Sequence, residues 1–431
     1  MTYWSAMDDM SVTSLPPRRG RQLLVASVGN VVEWYDWHIY TFLAVYIAAE
    51  IFPQEAENSL VPLLSTFAVF AVGFFARPLG GLLLGAVADR KGRRAALTTT
   101  LLLMGASCLV VALTPTYASA GALGPVILVL ARLLQGLSAG GEFAASTTFL
   151  VESAGPGRRG LFSSFHYVSA TAGQILASGT AALMVLTLDD ASMHAWGWRI
   201  PFLIGALLSL LGLWVRYGAQ ETGGEVRPTA RAGLFEALRA YPRESMRICG
   251  ITMGGTIAFY TWTAYLPTYA QVDEGFDKGE SLLVGTISLV FFALVQPLGG
   301  MLSDRIGRRP MLIGFALGFA VLCVPLLNLL SDSFASLLFV QCTGLLLLTG
   351  YSSIAAAVNA EVFPARVRAA GIGFPYSLTV ALFGGTAPYV GTLFRELGVP
   401  STFPWYVALL CLLSGLVYLR LPEGAHKPLE R

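Results

Sequence analysis

The sequence resolves into twelve stretches of mostly apolar residues separated by short polar breaks, each long enough to cross a bilayer whose hydrocarbon core is about 30 Å thick. They run over 23–51, 60–88, 95–113, 123–151, 161–187, 198–218, 246–271, 281–303, 310–330, 334–360, 369–395 and 402–420. In lipid no water is at hand for backbone N–H and C=O groups, so such stretches must be helices. Only 13% of the residues are charged and 55% are hydrophobic, against about a quarter charged in a soluble chain. The predicted class is an all-α membrane protein of twelve transmembrane helices.

The remaining composition narrows the function. A net charge of +2, with its positive residues in short loops, gives no basic patch for nucleic acid. The five cysteines (Cys108, Cys249, Cys323, Cys342 and Cys411) lie in apolar stretches without CxxC spacing, so neither a disulfide framework nor a metal site is expected. Residues 1–21 are polar and carry Arg18, Arg19 and Arg21, and the apolar stretch after them contains Glu33 and Asp36, which is unlike a cleavable signal peptide. GxxxxGK[ST] and HExxH are missing. No cofactor and no enzymatic activity are expected, and any pumping must draw on an ion gradient.

With the N-terminus in the cytoplasm, all but five of the 28 Lys and Arg fall inside: Arg199, Lys278 and Arg395 lie outside, and Arg77 and Arg132 lie within the membrane. The positive-inside rule thus places both ends in the cytoplasm of a multi-pass plasma membrane protein. The expected divisions are a cytoplasmic N-terminus (1–21), a first six-helix half (22–218), a central cytoplasmic loop (219–245), a second six-helix half (246–421) and a tail (422–431). In the central loop, Leu234, Phe235, Leu238 and Tyr241 are spaced for a short interfacial helix. An internal repeat supports two halves. Gly85, Asp89, Arg90, Gly92, Arg93 and Arg94 recur 215 residues later as Gly300, Asp304, Arg305, Gly307, Arg308 and Arg309. Glu152 ahead of Arg158 and Arg159 is echoed by Glu361 ahead of Arg366 and Arg368.

Charges inside the bilayer are the candidate chemistry. Arg77 lies 12 residues before Asp89, about 18 Å deep. A lone cation there costs at least ~2.5 kcal/mol, so it faces a partner or a wet cavity. It suits a substrate carboxylate clamp, since guanidinium donates in a two-pronged geometry, or a structural ion pair with Glu33 or Asp36. Glu33 and Asp36 sit near mid-depth on adjoining faces of the first helix, and Glu142 reaches similar depth on the fourth. A carboxylate that alternately gains and loses an Arg partner can take up and release protons near neutral pH. His166, about five residues into its stretch, is placed at the cytoplasmic mouth as a proton relay or a satisfied helix-end histidine; His38 lies deeper. Asn30, Tyr40, Tyr260, Trp262 and Gln296 are polar or amphipathic side chains suited to orient a ligand at the midplane. Trp196, Trp198 and Trp405 near helix ends are expected at the membrane interface.

The paired GxxxDRxGRR loops resemble the signature of the major facilitator superfamily. Further segments are similar to its metabolite:proton symporter branch: GNVVEWYDWHIY (29–40), RPLGG (77–81), QGLSAGGE (135–142), WGWRIPF (196–202) and EVFPARVR (361–368). The resemblance implies a secondary transporter that imports a small organic acid, such as alpha-ketoglutarate, with protons by alternating access, a monomer sufficing. It also implies that the paired loops brace the cytoplasmic ends of the halves and help set the inward to outward balance. Arg132, in the outer half of its stretch, matches an Arg-x-x-Gln-Gly motif associated with proton coupling or substrate charge. Trp37, His38 and His166 depart from the dicarboxylate pattern, which carries Phe, Tyr and Gln there. Relatives in the branch carry citrate, shikimate, or proline and betaine. The osmolyte type, like a membrane sensor of transporter ancestry, is expected to have a long cytoplasmic extension, whereas about ten residues follow Arg420.

Overall fold

The computed structural model describes residues 17–54, 59–140, 147–148, 150–151, 154–155, 157–217, 238–365, 367–425 and 427. Glu142, Glu152, Arg366 and most of the central loop, including Leu234 and Phe235, lie outside the described residues, as do the side chains of Asp89, Arg93 and Arg94. Among the described residues there is no strand. The helices are α1 (Pro17–Phe42), α2 (Ala44–Ile51), α3 (Val61–Lys91), α4 (Arg93–Leu113), α5 (Tyr117–Ala120), α6 (Leu123–Ala139), α7 (Arg159–Thr187), α8 (Asp190–Ala195) and α9 (Ile200–Tyr217). They continue with α10 (Pro242–Tyr260), α11 (Leu266–Asp273), α12 (Lys278–Ile306), α13 (Arg308–Asn328), α14 (Phe334–Ser352), α15 (Ala355–Val362), α16 (Arg368–Thr379), α17 (Ala387–Glu396) and α18 (Thr402–Leu419). Two wider π turns, Thr261–Tyr265 and Val380–Gly385, join α10 to α11 and α16 to α17.

Nine helical segments among the described residues are long and apolar enough to cross a membrane, and they coincide with nine of the twelve expected stretches. The first, fourth and seventh fall short for local reasons. The first carries Glu33 and Asp36 and is interrupted at Leu43; the fourth runs into residues that are not described; the seventh opens on Arg243, Glu244 and Arg247. Large apolar side chains such as Leu79, Leu207, Leu294 and Val321 point outward and are more than half exposed. Such a surface fits a solvent of lipid rather than water.

Helices up to Tyr217 pack mainly on one another, and so do those from Pro242 onward, forming two bundles. The seam between them is built chiefly by α7 against α12, with α3 against α16 and α17. Trp198, expected at the membrane interface, is instead fully buried, with the Arg199 guanidinium 4.3 Å from its ring. Arg199 holds its place by donating to the carbonyls of Ala112 and Thr114 at 2.7 and 2.6 Å, so the indole packs inward. Trp196 and Trp405 are exposed.

At the end carrying the paired loops, Gly92 and Gly307 have φ values of 86° and 103°, a left-handed turn that glycine adopts at little cost. Asp304 lies one turn earlier, and its two carboxylate oxygens accept from the backbone N–H groups of Gly160 and Leu161 at 2.8 and 2.9 Å. An acidic side chain of the second bundle thereby caps the first turn of α7 in the first bundle. Arg308 pairs with Asp304 at 2.9 Å, and Arg159 pairs with Glu361 at 2.8 Å across the same seam. Gly160 and Gly300 approach backbone to backbone, and a Cβ on Gly300 would sit 2.5 Å from the Gly160 carbonyl. Arg90 and Arg305 are exposed, while Arg309 donates to the Leu419 carbonyl at 2.5 Å.

The start of α13 is capped from far along the chain, because Glu423 accepts from the N–H groups of Arg308 and Arg309 at 2.8 and 2.9 Å. Burial alone would raise this carboxyl, but the N–H groups of Arg308, Arg309 and Ala425 hold it below the ordinary glutamate value. A depressed folded-state value means the cap stabilises fully above about pH 4.3 and is lost as the pH falls through the lower, folded value. The melting temperature of Glu423→Gln should therefore lie below that of the parent at neutral pH, and the gap should close in acid.

The far end is also held across the seam. Lys278 of the second bundle reaches Asp190 at 3.3 Å, and the Leu60 N–H donates to Glu396 at 3.1 Å. Ser178 of α7 bonds Thr286 of α12, and Phe67 meets Tyr265 edge to face with centroids 5.7 Å apart. Among the described residues, contacts between the bundles thus bridge the seam at both ends.

Candidate functional site

Between these two sets of contacts lies a cavity lined by Asn30, Glu33 and Trp34 of α1, Arg77 of α3, Ala139 and Gly140 at the end of α6, and His166 of α7. Gly373, Tyr376 and Ser377 of α16 complete it from the second bundle. It encloses about 30 Å³ for a water-sized molecule, room for about two waters. Any organic acid therefore needs the bundles to part before it fits.

Arg77 is 14 residues from the end of α3 at Lys91, so it sits about 21 Å along the helix from that end. Its guanidinium carbon lies 4.1 Å from the Trp37 ring and 4.5 Å from the Phe74 ring, and its Nε makes no hydrogen bond. Aromatic faces stabilise the cation without using its N–H donors. Its Nε stays available to a carboxylate that enters the cavity. Glu33, only 6% exposed, faces the same space. Asn30 ties α1 to α7 by donating to the His166 carbonyl at 3.2 Å and to Ser169 at 2.6 Å.

His166 is not at a wet helix end as the sequence reading placed it. It is 3% exposed, lines the cavity, and stands edge to face with Tyr167. The reason is that α7 begins at Arg159, and the close packing of its first turns under Asp304 puts His166 below the surface.

Asp36 points away from the cavity, one helical turn beyond Glu33. Its Oδ1 accepts from Gln135 at 2.5 Å and from the Cys108 thiol, while Oδ2 has no hydrogen bond. Gln135 in turn accepts from Arg132 at 2.5 Å, so Arg132, Gln135 and Asp36 form one buried chain within the first bundle. Arg132 is fully buried, with its guanidinium 3.6 Å from the Tyr40 ring and 5.6 Å from Trp37. It does not line the cavity. Trp37 lies between the two arginines as a shared aromatic platform, a role no sequence pattern had signalled.

Four further candidates are also off the cavity. Tyr40 donates to the Thr66 carbonyl at 2.9 Å inside the first bundle. Trp262 donates to the Val340 carbonyl at 3.3 Å and packs on Phe319, and Gln296 donates to Ser352 at 2.8 Å, both inside the second bundle. Tyr260 packs across the seam, edge on to Phe74 at 5.2 Å and parallel to His38 at 6.1 Å. Each faces a neighbouring helix because helix rotation, not depth, decides what a side chain meets. The sequence reading missed Tyr376, Ser377 and Gln174. Among the described residues no cluster of His, Cys, Asp and Glu is arranged to hold a metal ion.

The family model described as Major Facilitator Superfamily matches residues 26–291 and 275–431. The chain is 40% identical over 418 residues to the alpha-ketoglutarate permease of Escherichia coli (strain K12), covering 96% of each. It is 34% identical over 412 residues to the citrate-proton symporter of Salmonella typhi, covering 93% of this chain and 94% of that one. Among solved structures, the xylose transporter from E. coli in a partially occluded inward open conformation superposes with a TM-score of 0.71 at 19% identity. That match covers 95% of this chain and 99% of the other, and it concerns the fold alone.

Proposed function

This chain belongs to the Major Facilitator Superfamily and is a multi-pass membrane transporter, not an enzyme; on that premise we propose that it imports a small dicarboxylate of the alpha-ketoglutarate type with protons. The observation that carries this reading is Arg77, a cation with an unused Nε donor, lining together with Glu33 a cavity shared by both bundles. A dicarboxylate entering the cavity competes with Glu33 for Arg77, and the displaced carboxylate takes up a proton. Arg132 and Asp36, joined through Gln135, form a second acid and base pair one layer away.

The proposed arrangement is twelve helices in two six-helix halves, 22–218 and 246–421, with the paired-loop end, both termini and the loop at 219–245 in the cytoplasm of the bacterial inner membrane. A monomer contains the whole site. Bringing a dianion in against an inside-negative potential costs about 2.3 kcal/mol per charge per 100 mV, so about two or more protons must accompany it for the potential not to oppose uptake.

The test is uptake of radiolabelled alpha-ketoglutarate into proteoliposomes with an inside-alkaline, inside-negative gradient, with citrate, shikimate, succinate and proline as competitors. Accumulation should be abolished by a protonophore and competed only by dicarboxylates; competition by proline alone overturns the substrate. Glu33→Gln should leave downhill uptake and exchange in place while accumulation collapses. Full proton-driven accumulation in that variant would remove Glu33 from the coupling.

A further inference from the structure

We propose that His38, stacked on the cavity-lining Trp34, is a proton-operated latch read out across the seam by Gln174 and Thr263, and that it forbids a proton from crossing without an anion. The inference rests on the proton-coupled reading above and adds a group that reading does not use. His38 lies one turn beyond Trp34, is fully buried, and is stacked between Trp34 (centroids 5.3 Å apart) and Tyr260 of the second bundle (6.1 Å).

The hydrogen-bond directions specify its protonation. Nδ1 of His38 is 3.0 Å from the Trp34 carbonyl oxygen, which only accepts, so Nδ1 carries a hydrogen. The other ring nitrogen is 2.7 Å from the amide nitrogen of Gln174, and that same nitrogen is 3.2 Å from the Thr263 hydroxyl oxygen. Thr263 spends its own hydrogen on the Phe259 carbonyl at 2.8 Å. The amide nitrogen has two hydrogens, and it donates one to the bare Nε2 of His38 and one to Thr263. The chain from α1 through α7 to the second bundle is complete only when His38 is neutral.

A proton added at Nε2 makes two donors face each other at 2.7 Å. The Gln174 carboxamide must turn its Oε1, which has no partner here, toward the ring. Both amide hydrogens then lose their acceptors, and either Thr263 loses its donor or Phe259 loses Thr263. A positive ring is left in a dry seam with cations nearby: Arg77 on α3 and Arg132 on α6. The carboxylates on its own helix are Glu33 and Asp36, and the titratable side chains on the packed elements are His166 and Tyr167 of α7 and Tyr260 and Tyr265 of the second bundle. Opening the seam to water relieves both problems, so a proton alone holds the far end open. An anion beside Arg77 offsets the added charge and lets the seam close. Closure is then permitted with neutral His38, or with proton and anion together.

The experiment reads distances in the full-length, reconstituted protein with spin labels at Leu123 and Leu397, exposed at the far end on opposite sides of the seam. Without substrate, the ratio of open to closed populations should rise about tenfold or more from pH 8 to pH 5, and saturating alpha-ketoglutarate at pH 5 should reverse it. In His38→Gln the ratio should be the same at both pH values. A full pH response in that variant overturns the proposal. Nitrogen-15 spectra of histidine-labelled parent protein at pH 8 supply a test needing no variant: the His38 ring should show hydrogen on Nδ1 only, and hydrogen on Nε2 overturns it. Protonophore-insensitive uptake by the parent, with the distance response intact, would remove the proton-coupled reading and leave the latch standing.

Discussion

Replacing Arg77 with glutamine should lower dicarboxylate uptake at least about a hundredfold, with the loss in affinity rather than in protein level. Two charge-assisted hydrogen bonds from one guanidinium contribute about 1.5–3 kcal/mol each, and 1.4 kcal/mol is a factor of ten. Glutamine keeps part of the volume but removes the charge and the fork. Lysine should restore only part of the affinity, because an ammonium keeps the charge and loses the two-pronged geometry. Saturation binding on detergent-solubilised variants checks this directly. The aromatic platform of Trp37 and Phe74 remains in both variants, so their melting temperatures should stay close to that of the parent. Unchanged affinity in the glutamine variant would remove Arg77 from the site.

Asp304→Asn should displace the conformational balance about tenfold or more toward forms open at the paired-loop end. The carboxylate bonds two N–H groups of α7 and the buried Arg308. The Arg308 pair lies within the second bundle and weighs on open and closed forms alike, whereas each N–H bond to the charged oxygens contributes about 1.5–3 kcal/mol. An amide has one acceptor oxygen where the carboxylate has two, so at most one of the two N–H contacts survives. Since the two N–H contacts cross the seam, the loss of one or both falls on the closed form of this end. Labelling of a cysteine introduced at Ser303, which is fully buried here, should accelerate in step. An unchanged labelling rate would mean that the cap is decoration on an already stable closure.

Much of the fold was legible because lipid imposes a length on every helix, and the apolar stretches carry that length openly. The nine clear crossings, the paired glycines at 92 and 307 and the depth of Arg77 follow from counting residues at 1.5 Å each. The site was less legible because depth says nothing about rotation about the helix axis. Glu33 and Asp36, three residues apart, part company: one faces the cavity and the other faces Gln135 and Cys108. Gln296 and Trp262 looked the same in sequence as Asn30, a polar group in an apolar run, yet hydroxyl and carbonyl partners on adjacent helices absorb them. Glu423 as a cap for Arg308 and Arg309 was invisible, since its partner is over a hundred residues away and no periodicity links them. Gln174 gave only the signal of a lone amide in a long apolar helix, and its meaning depends on where His38 and Thr263 fall in three dimensions.

The double closure around so small a cavity bears on what kind of traffic this carrier can run. A form bridged at both ends, with room for about two waters between, is one that no loaded carrier can adopt. An obligatory exchanger must avoid such a form, because passing through it would let the protein turn around unladen and spoil the one-for-one trade. A net importer needs it, because after each delivery the protein has to come back without cargo.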